Sequence, residues 1–344
     1  MKRNATGLFV AVLVLAGPAR ADDAPTIADV KKAWQARQDA NKSFRVEWVE
    51  TTTMKAGAHD DLLPAGERNP GPHPPEDTEF KAVCSFAVDG DKVAIADERM
   101  IYNLGNKTWI PHAQSTSFDG KTWMTVYPLL SRGWGRVQIE TGFARNMGAV
   151  QSATNAPRLV YRPLTGQPSF DFKRFKLAEG TTKIGEAECV EVVPTDAAKK
   201  DAAPGYSYSL RCDPDRDFLP IRERQRTAAG GYDVDYAYRQ DDKGRWLLKG
   251  WTYTQRGQKD ALQTSMKAEV KKLELGFTFA ADAFAPKPPP GSFVTVYDDG
   301  AEKDAYLVRP DGTKRSVAAD EQNKSYDELA KTNADGTPYV PAKK

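Results

Sequence analysis

From Phe44 to Trp48 the chain alternates, with Phe44, Val46 and Trp48 apolar and Arg45 and Glu47 charged between them. Successive side chains on a strand point to opposite faces, so this spacing predicts a strand over 44–53 with one apolar face. The period of two returns at Phe80, Ala82, Cys84, Phe86 and Val88, and Asp89-Gly90 turns the chain back through Val93 and Ile95. Further strands are predicted at 99–103, 108–111, 116–118 and 121–126. Asp119-Gly120, between the last two, reads as a tight I′ hairpin turn.

In the second half, strands are predicted at 170–177, 188–193, 206–212, 220–225, 232–238, 246–254 and 265–273. Tyr232, Val234, Tyr236 and Tyr238 share one face, with Asp233 and Asp235 opposite. Met266, Ala268 and Val270 likewise oppose Lys267, Glu269 and Lys271. One wet face and one apolar face mark an antiparallel sheet. The fold class expected is therefore mainly β.

Helical spacing is confined to 25–38, where Ile27, Val30 and Trp34 recur behind a Thr26 N-cap, with Asp29 near the positive end. Residues 55–78, rich in Pro, Gly and charge, read as a long loop. The stretch 129–156 reads as a helix or a loop crossing the open side of a sheet. No period of 20 to 50 residues repeats, which argues against propellers and solenoids.

The ends change the charge argument. Lys2 and Arg3 precede an apolar run at 8–16, and Ala19-Arg20-Ala21 supplies the small residues of a signal-peptidase site. The expectation is a signal peptide over 1–21, cleavage after Ala21 and export to the periplasm. A single membrane anchor would need a longer apolar run, and no later segment reads as transmembrane. Losing 1–21 removes three of 49 basic side chains and leaves 46 against 47 acidic ones. A net charge of −1 provides no footprint for nucleic acid. Residues 22–291 are expected to form one domain. Residues 292–344 are expected to be an extension, a short hairpin at 293–297 and 305–308 followed by a polar tail that frays.

Candidate chemistry is sparse. His59, His73 and His112 have no second ligand at metal-like spacing, and neither a phosphate-cradling loop nor a hydrolase elbow is present. Asp213, Asp215 and Asp217 begin like a calcium loop but lack its sixth-position Gly and its acidic twelfth ligand, that position being Arg224. No metal, cofactor or catalysis is expected. Cys189 and Cys212 lie in strand-like stretches that could be antiparallel neighbours, so a Cys189–Cys212 disulfide is expected in an oxidising compartment. The alternative is three buried thiols, Cys84 included.

An export signal, one amphipathic helix, the strand "FRVEWVE" and the hairpin "FDGKTWMTVYP" occur in that order. This resembles the periplasmic lipoprotein carriers of the LolA-like family, through Asp119, Gly120, Lys121, Trp123 and Tyr127. The segment "YSLRCDPDRDFLPIRERQR" is similar to the family's strand–turn–strand, through Asp213, Pro214, Leu219, Pro220 and Arg222. The spacing from Trp123 to Tyr127, the insertion at 55–78 and the C-terminal extension depart from the compact carriers.

The resemblance implies a curved antiparallel sheet forming an incomplete β-barrel, covered by helices and enclosing an apolar cavity for a lipid or the acyl chains of a lipoprotein. Candidate lining residues on apolar strand faces are Trp48, Phe86, Trp123, Tyr208, Tyr236, Trp251 and Met266. For each, ordinary core packing is the competing reading. A second reading is an envelope sensory or interaction module that signals to a protein partner through 292–344. A third, an exported hydrolase, would need His112 beside a serine.

Overall fold

The computed structural model describes residues 24–58, 74–103, 107–129, 134–141, 156–164, 171–200, 202, 205–257, 260–321 and 324–340. The expected signal peptide, most of the predicted loop 55–78 with His59 and His73, and most of the stretch 129–156, all of 142–155 included, lie outside the described residues. Among those described, no helix is long and apolar enough to cross a membrane.

Helix α1 (Ile27–Ala40) starts where its sequence cap predicts. The Thr26 hydroxyl accepts the Asp29 amide at 3.3 Å, and the Asp29 carboxylate accepts the Thr26 amide at 3.0 Å. This capping box satisfies two donors that a helix start leaves unpaired.

β1 (Ser43–Met54) is the central strand, with residues buried at every second position from Phe44 to Thr52. It pairs antiparallel with β2 (Thr78–Asp89) on one side and with β14 (Leu262–Leu275) on the other. From β2 the sheet continues through β3 (Lys92–Asn103), β4 (Thr108–Phe118), β5 (Thr122–Leu129) and β6 (Trp134–Thr141). From β14 it continues through β13 (Trp246–Arg256), β12 (Gly230–Gln240) and β11 (Leu219–Thr227). β10 (Ser207–Asp213) and β9 (Ala187–Pro194) follow, and the three-residue strands β7 (Phe175–Leu177) and β8 (Thr182–Ile184) both pair with β9.

Beyond β6 the sheet is extended by β15 (Ser292–Asp298), the one parallel pairing among the described strands, and then by β16 (Ala301–Val308) and β17 (Lys314–Ser316). The result is a single large sheet of 17 strands, mostly antiparallel and not closed on itself. The mainly β antiparallel expectation holds.

Three expectations change. The Asp119-Gly120 corner is an Asx turn rather than a I′ turn. Asp119 Oδ1 accepts the amides of Lys121 and Thr122, both at 2.9 Å. Of the two residues only Gly120 has positive φ, whereas a I′ turn needs both. Second, β15 and β16 are strands of the main sheet. Val294 packs with Met124, Val137 and Val308 on one face, while Leu307 packs with Tyr326 and Leu329 on the other.

Third, the C-terminal segment is tied down. The short helix α3 (Tyr326–Ala330) carries its own capping box through Ser325 and Glu328. Arg315, 3 % exposed, forks onto Glu321 at 2.9 and 3.0 Å and donates to the carbonyls of Thr332 and Asn333. Arg309 donates to the carbonyls of Ala330 and Thr332 and lies 3.7 Å from the Tyr339 ring centroid. Polar composition predicts fraying only where buried partners are missing; here two buried guanidiniums supply them.

Two helical elements cover the apolar face of the central strands. Val30 and Trp34 of α1 pack against Val192, Leu210 and Cys212. Residues 156–161, α2, place Ala156, Val160 and Tyr161 against β1, β2 and β13.

Candidate functional site

Register gathers the predicted lining residues. Trp48 lies opposite Cys84 on β2 and Val270 on β14, Phe86 opposite Val46 and Ile95, and Trp251 opposite Tyr236 and Ala268. Trp123 lies opposite Phe118 and stacks on it with ring centroids 4.5 Å apart. Met266, opposite Thr52 and Tyr253, borders the same cluster. Tyr208 packs instead in the neighbouring cluster beneath α1.

This wall is filled by the protein's own side chains. Trp48 and Trp123 are 1 % exposed, and the Trp48 and Trp251 rings meet at 5.4 Å. Phe44 contacts Phe86 on one side and Tyr161 of α2 on the other, at 5.5 and 5.2 Å. An open hollow over these residues was the expectation, and packing beneath α2 takes its place.

Two carboxylates share this buried face, and sequence reading passed over both. In β1 the inward positions run Phe44, Val46, Trp48 and then Glu50, which is 2 % exposed. Glu50 accepts the Trp48 indole N–H at 2.9 Å and lies 3.5 Å from Arg99, which also holds Asp97 at 2.5 Å. In β11 Glu223, 6 % exposed, follows Ile221 on the inward face. It accepts the hydroxyls of Tyr232 and Tyr236, each at 3.0 Å. Burial pushes the Glu223 carboxyl above its ordinary range, and those hydroxyls with the Arg158 charge oppose the shift. The signal available in sequence was a charge at an inward position of an otherwise apolar alternation.

Among the described residues, open space lies at the ends of several strands. A wide-mouthed cavity of about 630 Å³ separates α1 from the ends of β11, β13 and β14. Ala33, Ala36 and Ala40 fall on one helix face at three- and four-residue steps, and their small side chains leave the gap. Leu219, Trp246, Leu247 and Leu275 form the sheet side, and Val160 and Tyr161 of α2 form the back. The volume falls within the roughly 300–1,000 Å³ usual for small-ligand sites. None of the seven predicted lining residues borders it.

The rim is positively charged. Arg37 of α1, Arg216 and Arg245 reach it, with Asp217 as the one carboxylate of the lining. Arg216 pairs with Asp213 at 3.0 Å and lies 4.3 Å from the Trp246 ring centroid, while Arg245 pairs with Asp241 at 2.8 Å. Arg37 donates to two carbonyls, that of Val160 at 3.5 Å and that of Asp217. Burial, the largest influence, draws its guanidinium below the ordinary arginine value. The rim turn itself is unusual, since Asp217 and Phe218 both have positive φ, near 53° and 55°. Two consecutive left-handed residues that are not glycine are costly, and α1 holds this pair from above through Arg37 and through the Trp34 indole, which donates to the Phe218 carbonyl at 3.0 Å.

The remaining candidates do not converge. All three cysteines are free and buried, so the expected Cys189–Cys212 disulfide is not formed. Cys212 lies opposite Val190, which sends the adjacent Cys189 side chain to the other face of β9. Asp213 accepts the Asp215 amide at 3.0 Å and pairs with Arg216, so it caps a turn. No cluster of three or more metal-ligating side chains occurs among the described residues. His112 lies opposite Arg99, with its ring 3.5 Å from Gln114 Oε1 rather than beside a serine.

No protein-family model matches the chain, and no curated protein matches it. Among solved structures, the enduracididine biosynthesis enzyme MppR, in complex with the condensation product of pyruvate and imidazole 4-carboxaldehyde, is 10% identical. That match covers 68% of this chain and 88% of that one, at a TM-score of 0.11. An acetoacetate decarboxylase-like enzyme from Sphingomonas wittichii RW1 is 11% identical over 71% of this chain and 85% of that one, at a TM-score of 0.09. Scores this low carry no structural argument.

Proposed function

We propose that the protein is an exported, non-enzymatic carrier of a lipid or of the acyl chains of a lipoprotein, related to the LolA-like carriers. The observation that supports this most is the cavity between α1 and the sheet, apolar on its floor and open at its mouth. Each methylene sheltered there gains about 0.8 kcal/mol.

The cavity's back wall is also the cover of the aromatic face. The polar ties of residues 156–164 include these: the Tyr161 hydroxyl accepts the Leu248 amide at 2.9 Å, Gln38 accepts the Leu164 amide at 2.9 Å, and Arg162 donates to the Lys42 carbonyl at 3.1 Å. In this reading a chain longer than the cavity displaces α2 and reaches Phe44, Trp48 and Trp251. Core packing in the unloaded protein and cargo contact in the loaded one then involve the same residues.

Native mass spectrometry of protein from its own host, followed by titration of delipidated protein with a fluorescent fatty-acyl probe, tests the proposal. Copurifying lipid, and probe binding abolished by Ala36→Trp, is the expected result. Ala36 is exposed, so the bulky side chain closes the mouth without entering the core. A delipidated protein that binds no acyl probe refutes the carrier reading.

A further inference from the structure

The charges at the cavity rim specify a headgroup. Three guanidiniums, Arg37, Arg216 and Arg245, border the space against the single carboxylate of Asp217. Arg216 and Arg245 are each paired from behind, by Asp213 and Asp241. Arg37 differs, because it donates to the backbone carbonyls of Val160 and Asp217 and feels the Asp217 charge beside it. A guanidinium has five N–H donors in a planar fork, so donors remain after those two bonds. A half-buried cation with donors to spare gains from a bound anion.

The same lining includes the apolar side chains of Leu219, Leu247, Leu275 and Val160. A single cavity of about 630 Å³ therefore brings groups suited to an oxyanion together with groups suited to an alkyl chain. Resting on the carrier reading above, we propose that this cavity binds a single-chain anionic amphiphile, a fatty acid. Its carboxylate sits on Arg37 at the α1 rim and its chain runs along the β11–β13 floor. Arg216 and Arg245 add a positive field that attracts the headgroup, and Asp217 opposes it.

The test is isothermal titration of the delipidated full chain with laurate, with dodecanol as the uncharged chain and with inorganic phosphate as the chainless anion. Laurate is expected to bind more tightly than dodecanol, and phosphate not to displace it at equal concentration. Arg37→Gln is expected to weaken laurate by about tenfold or more, as loss of a charge-assisted hydrogen bond does, with dodecanol unchanged. Asp217→Asn is expected to tighten laurate, and asparagine tolerates the positive φ at that position. Thermal unfolding of both variants, matched to the parent, separates loss of the site from loss of the fold.

Laurate and dodecanol binding alike, with Arg37→Gln neutral, overturns the headgroup assignment and leaves the carrier reading standing. Phosphatidylglycerol vesicles competing where laurate fails overturn the single-chain assignment. Failure of every chain-bearing probe removes the carrier reading, and the headgroup assignment with it.

Discussion

Whether α1 is a fixed wall of the cavity or a detachable flap can be measured at Trp34. Its side chain is fully buried, its ring meets Phe172 edge-on at 5.5 Å, and its N–H donates to the Phe218 carbonyl at 3.0 Å. Trp34→Phe keeps most of the apolar contact and removes the hydrogen bond, which costs about 1–2 kcal/mol. Trp34→Ala also removes the packing, and the total is expected near 3–5 kcal/mol because the pocket among Val30, Leu210 and Phe218 cannot collapse fully. Urea unfolding followed by far-ultraviolet circular dichroism measures both, with the midpoint falling in two steps at constant slope. An alanine variant within about 1 kcal/mol of the parent would show that α1 is not seated on β9 and β10, and the cavity would lose its wall. A phenylalanine variant as unstable as the alanine one would mean that release of the left-handed Asp217–Phe218 turn, not lost packing, dominates.

Three further outcomes follow from the buried groups. Thiol titration of denatured, unreduced protein is expected to count three reactive cysteines; a count of one would restore the Cys189–Cys212 bridge. Glu321 is held down at about 2, chiefly by its Arg315 hydrogen bonds. Its contribution is therefore complete above the ordinary carboxylate range and is lost as pH falls from there towards 2. Protection factors in 314–334, corrected for the intrinsic exchange rate at each pH, should fall over that window and do so less in Glu321→Gln; identical acid profiles would contradict the assignment. Glu223 has the opposite sign. Burial raises its folded value, so the folded state holds the proton more tightly and stability declines as pH rises from the ordinary carboxylate range through the raised value. Glu223→Gln should flatten that decline in urea midpoints measured across the range, and an unchanged slope would count against it.

Alternation was the most legible signal. It placed β1 and β2 on their buried faces and identified the apolar sides of β12 and β14, because one face of each strand is wet. It failed at β6, where Val137 and Ile139 alternate for too few residues to stand out and the partner β15 lies 157 positions later in register, Ser292 opposite Gly135. It also broke β4 into two pieces, although Pro111 is accommodated opposite Met100 within one continuous strand. Thr26 announced the helix start, since a cap is a local interaction. The cavity was not announced, because alanines at 33, 36 and 40 matter only through what faces them. The cysteine pairing failed by one residue of register, a distance that composition and strand propensity do not encode.

The parallel seam between β6 and β15 has a consequence for any shortened form of the protein. Among the described strands the sheet terminates in three-residue pieces, β17 at one end and β7 and β8 at the other, which offer little template for strand addition. Cutting the chain before Ser292 would strip β6 of its neighbour along seven residues and bare the apolar side chains of Val137 and Ile139. Such a fragment is primed to recruit other copies of itself edge to edge, so its self-association would mimic the loss of a partner-binding tail.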